Sequence, residues 1–162
     1  MIENSRKTDI KFRTENTCLG YITVYCNENS VIKVCFGDFR GEDETNLLKE
    51  TFLQINEYLI GKRKKFEIPI SFSGTAFQNK IWNELLKIPY GETVTYGEIA
   101  KRAGNKNACR AAGSACSKNP IAIIVPCHRV IGSNGSLTGF AGGIYNKSQL
   151  ISIEKRFVRK IN

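Results

Sequence analysis

The chain has 162 residues, 41% of them apolar, and carries 24 Lys and Arg against 15 Asp and Glu, a formal charge of +9. This length supports one compact unit or two small lobes with a well-buried core, and the charge favours a polyanionic partner without naming it. No apolar stretch approaches the roughly 20 residues of a membrane span, residues 1–7 lack the apolar core of a signal peptide, and six cysteines without C-x-x-C spacing beside a single histidine suit reduced thiols and no metal. A soluble, cytoplasmic protein without a cofactor is the expectation.

Residues 19–24 and 31–36 cluster apolar and β-branched side chains around the polar turn Asn27-Glu28-Asn29-Ser30, which predicts a hairpin. Between residues 45 and 60, Leu48, Phe52, Ile55 and Leu59 recur at helical spacing and Gly61 stops the pattern. The basic run Lys62-Arg63-Lys64-Lys65 reads as a solvated loop or helix end, as does the tail Lys155-Arg156-Phe157-Val158-Arg159-Lys160. A small polar stretch, residues 71–75, is the best linker, dividing the chain into an N-terminal lobe (1–72) and a C-terminal domain (73–162).

The second half reads as helical. Thr75 with Gln78 three residues on resembles a capping box, and Phe77, Ile81, Trp82, Leu85 and Leu86 form one apolar face before Pro89-Tyr90-Gly91. Trp82 on that face reads as core. Two short helical patterns follow, residues 96–103 and 108–117, joined by Gly104-Asn105-Lys106-Asn107, a helix-turn-helix candidate whose small residues Ala108, Ala111, Ala112, Gly113 and Ser114 suit close approach to another surface. Residues 121–125 read as a short buried strand, which Pro126 cannot continue.

The only histidine stands directly beside a cysteine in Pro126-Cys127-His128-Arg129. A thiol is mostly protonated at neutral pH, so an adjacent base matters to its reactivity. Side chains alternate along an extended chain, so Cys127 and His128 can cooperate only on a turn or helical bend, which Pro126 makes available. From the dipeptide alone, a buried cysteine followed by a surface His-Arg pair is the competing reading.

The chain then continues Val130-Ile131-Gly132-Ser133-Asn134-Gly135-Ser136-Leu137-Thr138-Gly139-Phe140-Ala141-Gly142-Gly143. With Pro126-Cys127-His128-Arg129 this resembles the active-site signature of the O6-alkylguanine-DNA alkyltransferases, also called methylated-DNA–protein-cysteine methyltransferases, and the resemblance runs from about Ser73 to Glu154. It implies an α+β protein in which a ribonuclease-H-like N-terminal α/β lobe precedes a mainly helical, winged helix-turn-helix-like DNA-binding and catalytic domain. It implies an enzyme that acts once, as a monomer, on double-stranded DNA, moving an alkyl group irreversibly from the O6 of guanine to its own Cys127. Activity on O4-alkylthymine stays open.

The resemblance also assigns residues. Cys127 is the alkyl acceptor, His128 draws its proton through a bridging water, Glu154 orients and charges the imidazole, and Asn119 braces the active-site region. Without the resemblance, Glu154 reads as a surface carboxylate. Arg110 fills the gap left by an extruded base in a minor groove, while Tyr96 helps rotate the nucleotide out and meets guanine N3. Asn105 and Ser133 match positions on the DNA backbone or flipped strand. The Cys127 and Val130 carbonyls take the exocyclic amine, the Ala141 N–H meets the departing oxygen, Phe140 forms an apolar wall, Lys147 lines the pocket, and Gly139, Gly142 and Gly143 shape it.

Three features depart from the pattern: Cys109 and Cys116 on the recognition helix, Phe140 where some members have tyrosine, and an N-terminal lobe without the cysteine-histidine set that binds zinc in some members. Two rival functions remain open at this stage. One is a non-catalytic lesion sensor or DNA-binding module, against which Cys127 argues because such relatives lack the acceptor. The other is a cysteine hydrolase, which would turn over repeatedly.

Overall fold

The computed structural model describes residues 9–158. The seven-residue start, and Arg159 and Lys160 of the basic tail, lie outside the described residues. Strand β1 (Lys11–Thr17) pairs antiparallel with β2 (Gly20–Cys26), and β2 with β3 (Val31–Phe36), giving a three-stranded sheet in chain order. The predicted hairpin is β2–β3. Its turn is held by Asn27, whose side-chain oxygen accepts from the amides of Asn29 (2.9 Å) and Ser30 (2.8 Å). Alternation sends Ile22, Val24 and Cys26 to the buried face.

Helix α1 (Asn46–Leu59) lies where its periodicity puts it, with the Thr45 hydroxyl capping the Leu48 amide at 3.1 Å and Gly61 taking the left-handed conformation after its end. Its buried face carries the predicted Leu48, Phe52, Ile55 and Leu59, together with Thr51, Gln54 and Tyr58. The second edge of β3 is not left bare. Val31 bonds on both sides to the 69–71 stretch, and Val34 pairs with Ile121, its amide on the Pro120 carbonyl (2.9 Å) and its carbonyl on the Ala122 amide (3.0 Å). The sheet therefore anchors the segment that leads into Cys127.

Helix α2 (Ala76–Leu85) begins with the predicted capping box of Thr75 and Gln78. Trp82 is core, and its indole N–H donates to the Ala115 carbonyl at 2.9 Å, tying α2 to α4 (Cys109–Ser117). Leu86 departs from expectation: the helix has ended at Leu85, and Leu86, one step past the buried stripe, is 43% exposed. Helix α3 (Tyr96–Arg102) packs on α4 through a turn in which Gly104 has φ +93° and the Asn105 amide bonds back to the Ala100 carbonyl at 3.0 Å. These two helices are the predicted helix-turn-helix. The two-residue strands β4 (Val94–Thr95) and β5 (Val130–Ile131) pair in parallel, and α5 (Gly143–Val158) completes the fold. The whole is α+β: a small sheet and helix, then a helical half.

Residues 121–125 are buried but do not form the predicted strand. After its single bridge to Val34 the chain turns: the Val125 amide reaches the Ile121 carbonyl (3.0 Å), the Ile124 amide reaches Ala122 (2.8 Å), and Ile123 sits at φ +71°. Five consecutive apolar residues report burial, and burial alone does not distinguish a ladder from a packed turn. A β-branched residue at positive φ costs on the order of 1–3 kcal/mol, and this strained turn stands directly before the cysteine.

Candidate active site

Pro126 ends the turn, and Cys127, His128 and Arg129 form one turn of 3-10 helix. This bend lets neighbouring side chains work on one site, and all three are buried. The reading of His128 and Arg129 as a surface pair fails. His128 has no solvent exposure, and Arg129 is only 7% exposed.

The thiol of Cys127 receives a hydrogen bond from the Asn119 amide nitrogen at 3.2 Å, while the same nitrogen donates to the Val125 carbonyl at 2.8 Å and the Asn119 carbonyl oxygen accepts from the Ile121 amide at 3.0 Å. Asn119 thus fixes both the thiol and the strained turn before it. Burial pushes the Cys127 thiol up from its ordinary range, against the opposing pull of the Asn119 donor and the Lys147 charge.

On the other side of the turn, His128 Nε2 lies 2.8 Å from Glu154 Oε1 and 3.1 Å from the Tyr58 hydroxyl. Its Nδ1 has no hydrogen-bond partner among the described residues. Glu154, on α5, is 1% exposed, so the surface reading of this carboxylate is also wrong. Besides His128, its oxygens accept from the Tyr58 hydroxyl (2.5 Å), from Arg129 Nε (3.0 and 3.1 Å) and Nη2 (2.9 Å), and from the Gly91 amide (2.8 Å). Burial works against the Glu154 anion, but hydrogen bonds from His128 and Arg129 and the guanidinium charge outweigh it and hold the carboxyl at about 2. For His128 the balance is different: burial pushes the imidazole down, and Arg129 and Lys147 add to that, against Glu154. The ring is therefore neutral at neutral pH. A carboxylate only accepts, so it keeps the single ring proton on Nε2 and leaves the Nδ1 lone pair free to take another.

A second cluster surrounds Tyr96, the first residue of α3. Its hydroxyl donates to the Thr138 carbonyl at 2.7 Å, and the buried Lys147 ammonium donates to that carbonyl (2.7 Å) and to the Tyr96 hydroxyl (3.2 Å). Burial pushes Lys147 down, while the thiols of Cys127 and Cys116 pull the other way, which places both thiols within its field. Gly139 stands at φ +62°, and a Cβ there would come within 3.4 Å of the Tyr96 hydroxyl. Phe140 packs edge-on against Phe36 at 5.7 Å, so the first half of the chain supports the loop after Thr138.

The remaining candidates fall around these clusters. Val130 is buried and pairs with Val94 in β4–β5, directly after the cysteine turn. Ala141 is exposed and shares a 320 Å³ cavity wall with Asn119 and Phe36. Arg110 is exposed on α4 and Asn105 is exposed in the turn before it, its side chain accepting from the Asn107 amide at 3.1 Å. Ser133 is exposed in a turn closed by the Gly132 amide on the Ser136 carbonyl (2.8 Å).

Sequence reasoning missed two members of the site. Arg129 was seen only as part of a motif, although a guanidinium beside a buried acid is the usual way to keep that acid charged. Tyr58 went unremarked because it falls on the apolar face of α1, three residues after Ile55. The available signal was that a buried phenol needs a partner for its hydroxyl.

The chain matches two family models in tandem. Residues 10–72 match the 6-O-methylguanine DNA methyltransferase ribonuclease-like domain, and residues 76–156 match the DNA-binding domain of the same family. A methylated-DNA–protein-cysteine methyltransferase of Methanosarcina acetivorans is 51% identical over 112 residues, 69% of this chain and 72% of the relative. The inducible one of Bacillus subtilis is 47% identical over 114 residues, 70% of this chain and 64% of its own length. Among solved structures, Mycobacterium tuberculosis OGT in complex with DNA superposes with a TM-score of 0.82 at 39% identity, covering 91% of this chain and 94% of that one.

Proposed function

The chain belongs to the 6-O-methylguanine DNA methyltransferase family, and on that footing we propose that it repairs DNA by moving the alkyl group of O6-alkylguanine onto Cys127, once per molecule. The observation that carries this reading is the divided histidine: Nε2 secured by a charged Glu154, Nδ1 without a protein partner among the described residues, on the residue next to a buried thiol. A lesion sensor without transfer chemistry would have no use for that arrangement.

In this reading the exposed face of α3–α4 meets duplex DNA, with Arg110 entering the space of an extruded base and Asn105 and Ser133 on the strand. The flipped guanine enters beside Tyr96 and Lys147, with the Val130 and Cys127 carbonyls toward its exocyclic amine and Phe140 as its wall. His128 takes the thiol proton, directly or through a water. The sulfur then forms a bond to the alkyl carbon as the carbon–O6 bond breaks and its electron pair stays on guanine. Tyr96 and the Ala141 N–H meet that developing charge, and the proton taken up by His128 is passed on through solvent to the guanine anion, so the thiol hydrogen ends on the base and the imidazole is neutral again. We read the division at 72/73 as the lobe boundary and the protein as a cytoplasmic monomer; among the described residues no helix is long and apolar enough to cross a membrane.

The test is mass spectrometry after incubation with a duplex containing O6-methylguanine. One methyl group on the peptide carrying Cys127 is expected. Methyl on Cys109 or Cys116 instead would overturn the reading, as would repeated turnover, the mark of a hydrolase.

A further inference from the structure

We propose that Tyr58, on helix α1 in the N-terminal half, is a positioning residue for the base: its hydroxyl holds Glu154 and His128 in the arrangement that keeps the ring proton on Nε2. This rests on the transfer reading above and adds to it a contribution from the other half of the chain.

Three observations support the assignment. The hydroxyl lies 2.5 Å from Glu154 Oε1 and 3.1 Å from His128 Nε2, so one oxygen bridges both members of the pair. Tyr58 is fully buried, and its ring is boxed by Phe66 (5.2 Å), Tyr90 (5.8 Å, edge-on) and the imidazole of His128 (6.5 Å, edge-on), which leaves the hydroxyl little freedom to move. Burial, with Glu154 beside it, pushes the phenol well above its ordinary range, so it stays a neutral donor at any working pH. A neutral donor on a carboxylate oxygen stabilises the anion and fills the site a water or a second ring orientation would otherwise use.

The alternative is that Tyr58 is an ordinary core residue whose hydroxyl merely finds a partner. Geometry argues against this. The hydroxyl is delivered from a helix 70 residues earlier in sequence than His128 and 96 earlier than Glu154, onto the one oxygen that also faces Nε2. The segment 76–156 alone therefore has the nucleophile and the imidazole but not the whole support of the base.

The protein's single histidine makes a direct test possible, because its ring nitrogens give the only imidazole signals. The groups facing it are Tyr58 on α1, Glu154 and Lys147 on α5, Cys127 and Arg129 on its own turn, and Tyr90 behind Tyr58. Tyr58→Phe in the full chain, with Tyr90→Phe as a matched loss of a buried hydroxyl that has no hydrogen-bond partner among the described residues, would be compared in single-turnover transfer, DNA binding and nitrogen-detected titration of His128. Expected for Tyr58→Phe is transfer slower by roughly ten-fold, duplex affinity unchanged, and a His128 titration moved upward, because Glu154 without its neutral donor favours the imidazolium more. Tyr90→Phe should match the parent in all three. In the parent itself, a Tyr58 hydroxyl proton protected from exchange and close to the Nε2 proton is required, whether or not the variant folds. An unprotected hydroxyl, or a slower Tyr58→Phe whose His128 titration has not moved, overturns the proposal. If Cys127 of the parent takes no methyl, the transfer reading falls first and this inference with it; if it does and Tyr58→Phe is indistinguishable, the inference alone falls.

Discussion

Replacing Glu154 with Gln keeps the shape of the side chain and removes its charge, which isolates what the buried anion contributes. Four groups donate to that carboxylate in the folded protein: Tyr58, His128, the Gly91 amide and the Arg129 guanidinium, the last through two nitrogens. Its carboxyl is held at about 2 against an ordinary value of 4.5. A folded-state value below the unfolded one means the anion stabilises the fold above the unfolded value and loses that contribution as pH falls toward the folded one. The drop corresponds to about 3 kcal/mol, of which about 2 kcal/mol should be gone by about pH 3.

Glu154→Gln should therefore be less stable than the parent at neutral pH by roughly 3–5 kcal/mol, because it also leaves the Arg129 charge buried without its counter-ion. Urea unfolding across acidic and neutral pH reads this directly. The gap between the two proteins should narrow steadily on acidification below about pH 4.5, since only the parent has the anion to lose. A gap under about 1 kcal/mol at neutral pH, or one that stays constant into acid, would show that the carboxylate is not the charged hub of this site.

Two further substitutions separate the thiol's environment from DNA handling. Asn119→Ala removes the donor that lowers the Cys127 thiol, so the pH profile of thiol alkylation should move to higher pH; because the Val125 carbonyl and Ile121 amide also lose a partner, stability should fall by about 1–3 kcal/mol, and an unmoved profile would refute the role given to that hydrogen bond. Arg110→Ala should slow transfer from duplex O6-methylguanine while sparing free O6-benzylguanine, since extruding a paired base costs a few kcal/mol that a free base does not require; equal loss on both substrates would show that Arg110 supports the fold instead.

Elements governed by local rules could be read from the sequence almost to the residue. Thr45 caps α1, Thr75 and Gln78 box the start of α2, and Asn27 closes the β2–β3 turn, each through contacts within a few residues. Strand β1 was not seen, since Lys11-Phe12-Arg13-Thr14-Glu15-Asn16-Thr17 offers no apolar face and its residues are mostly half-buried. The misread segment 121–125 shows the converse, burial without a ladder. At the site, the Cys127-His128 pair was visible as a dipeptide, but what makes it a unit is contributed by Glu154, 26 residues on, and by Tyr58, 70 residues before. Contacts at that separation leave no periodicity; only the family signature pointed to Glu154, and for Tyr58 the one signal was a phenol on the apolar face of α1, which says that its hydroxyl needs a partner but not which.

The resting electrostatics suit a residue that reacts once. A thiolate kept ready in a cell would be consumed by any oxidant or electrophile that reached it, and in the proposed reaction a thiol lost that way is lost to the one turnover it has. Cys127 avoids this by burial, which keeps the thiol protonated, with a neutral imidazole beside it. The groups that favour the thiolate, Asn119 and Lys147, are present but outweighed. In the proposed reaction the substrate completes the balance. The proton leaves only as the sulfur begins to bond to carbon, and the imidazolium formed is met by a carboxylate already charged and already aimed at Nε2. In that reaction the buried Lys147 and the half-buried Tyr96 would meet the departing base as it gathers charge. The driving force thus sits in preset dipoles and charges rather than in a reactive ground state, which is how a protein can hold a nucleophile safely until its one substrate arrives.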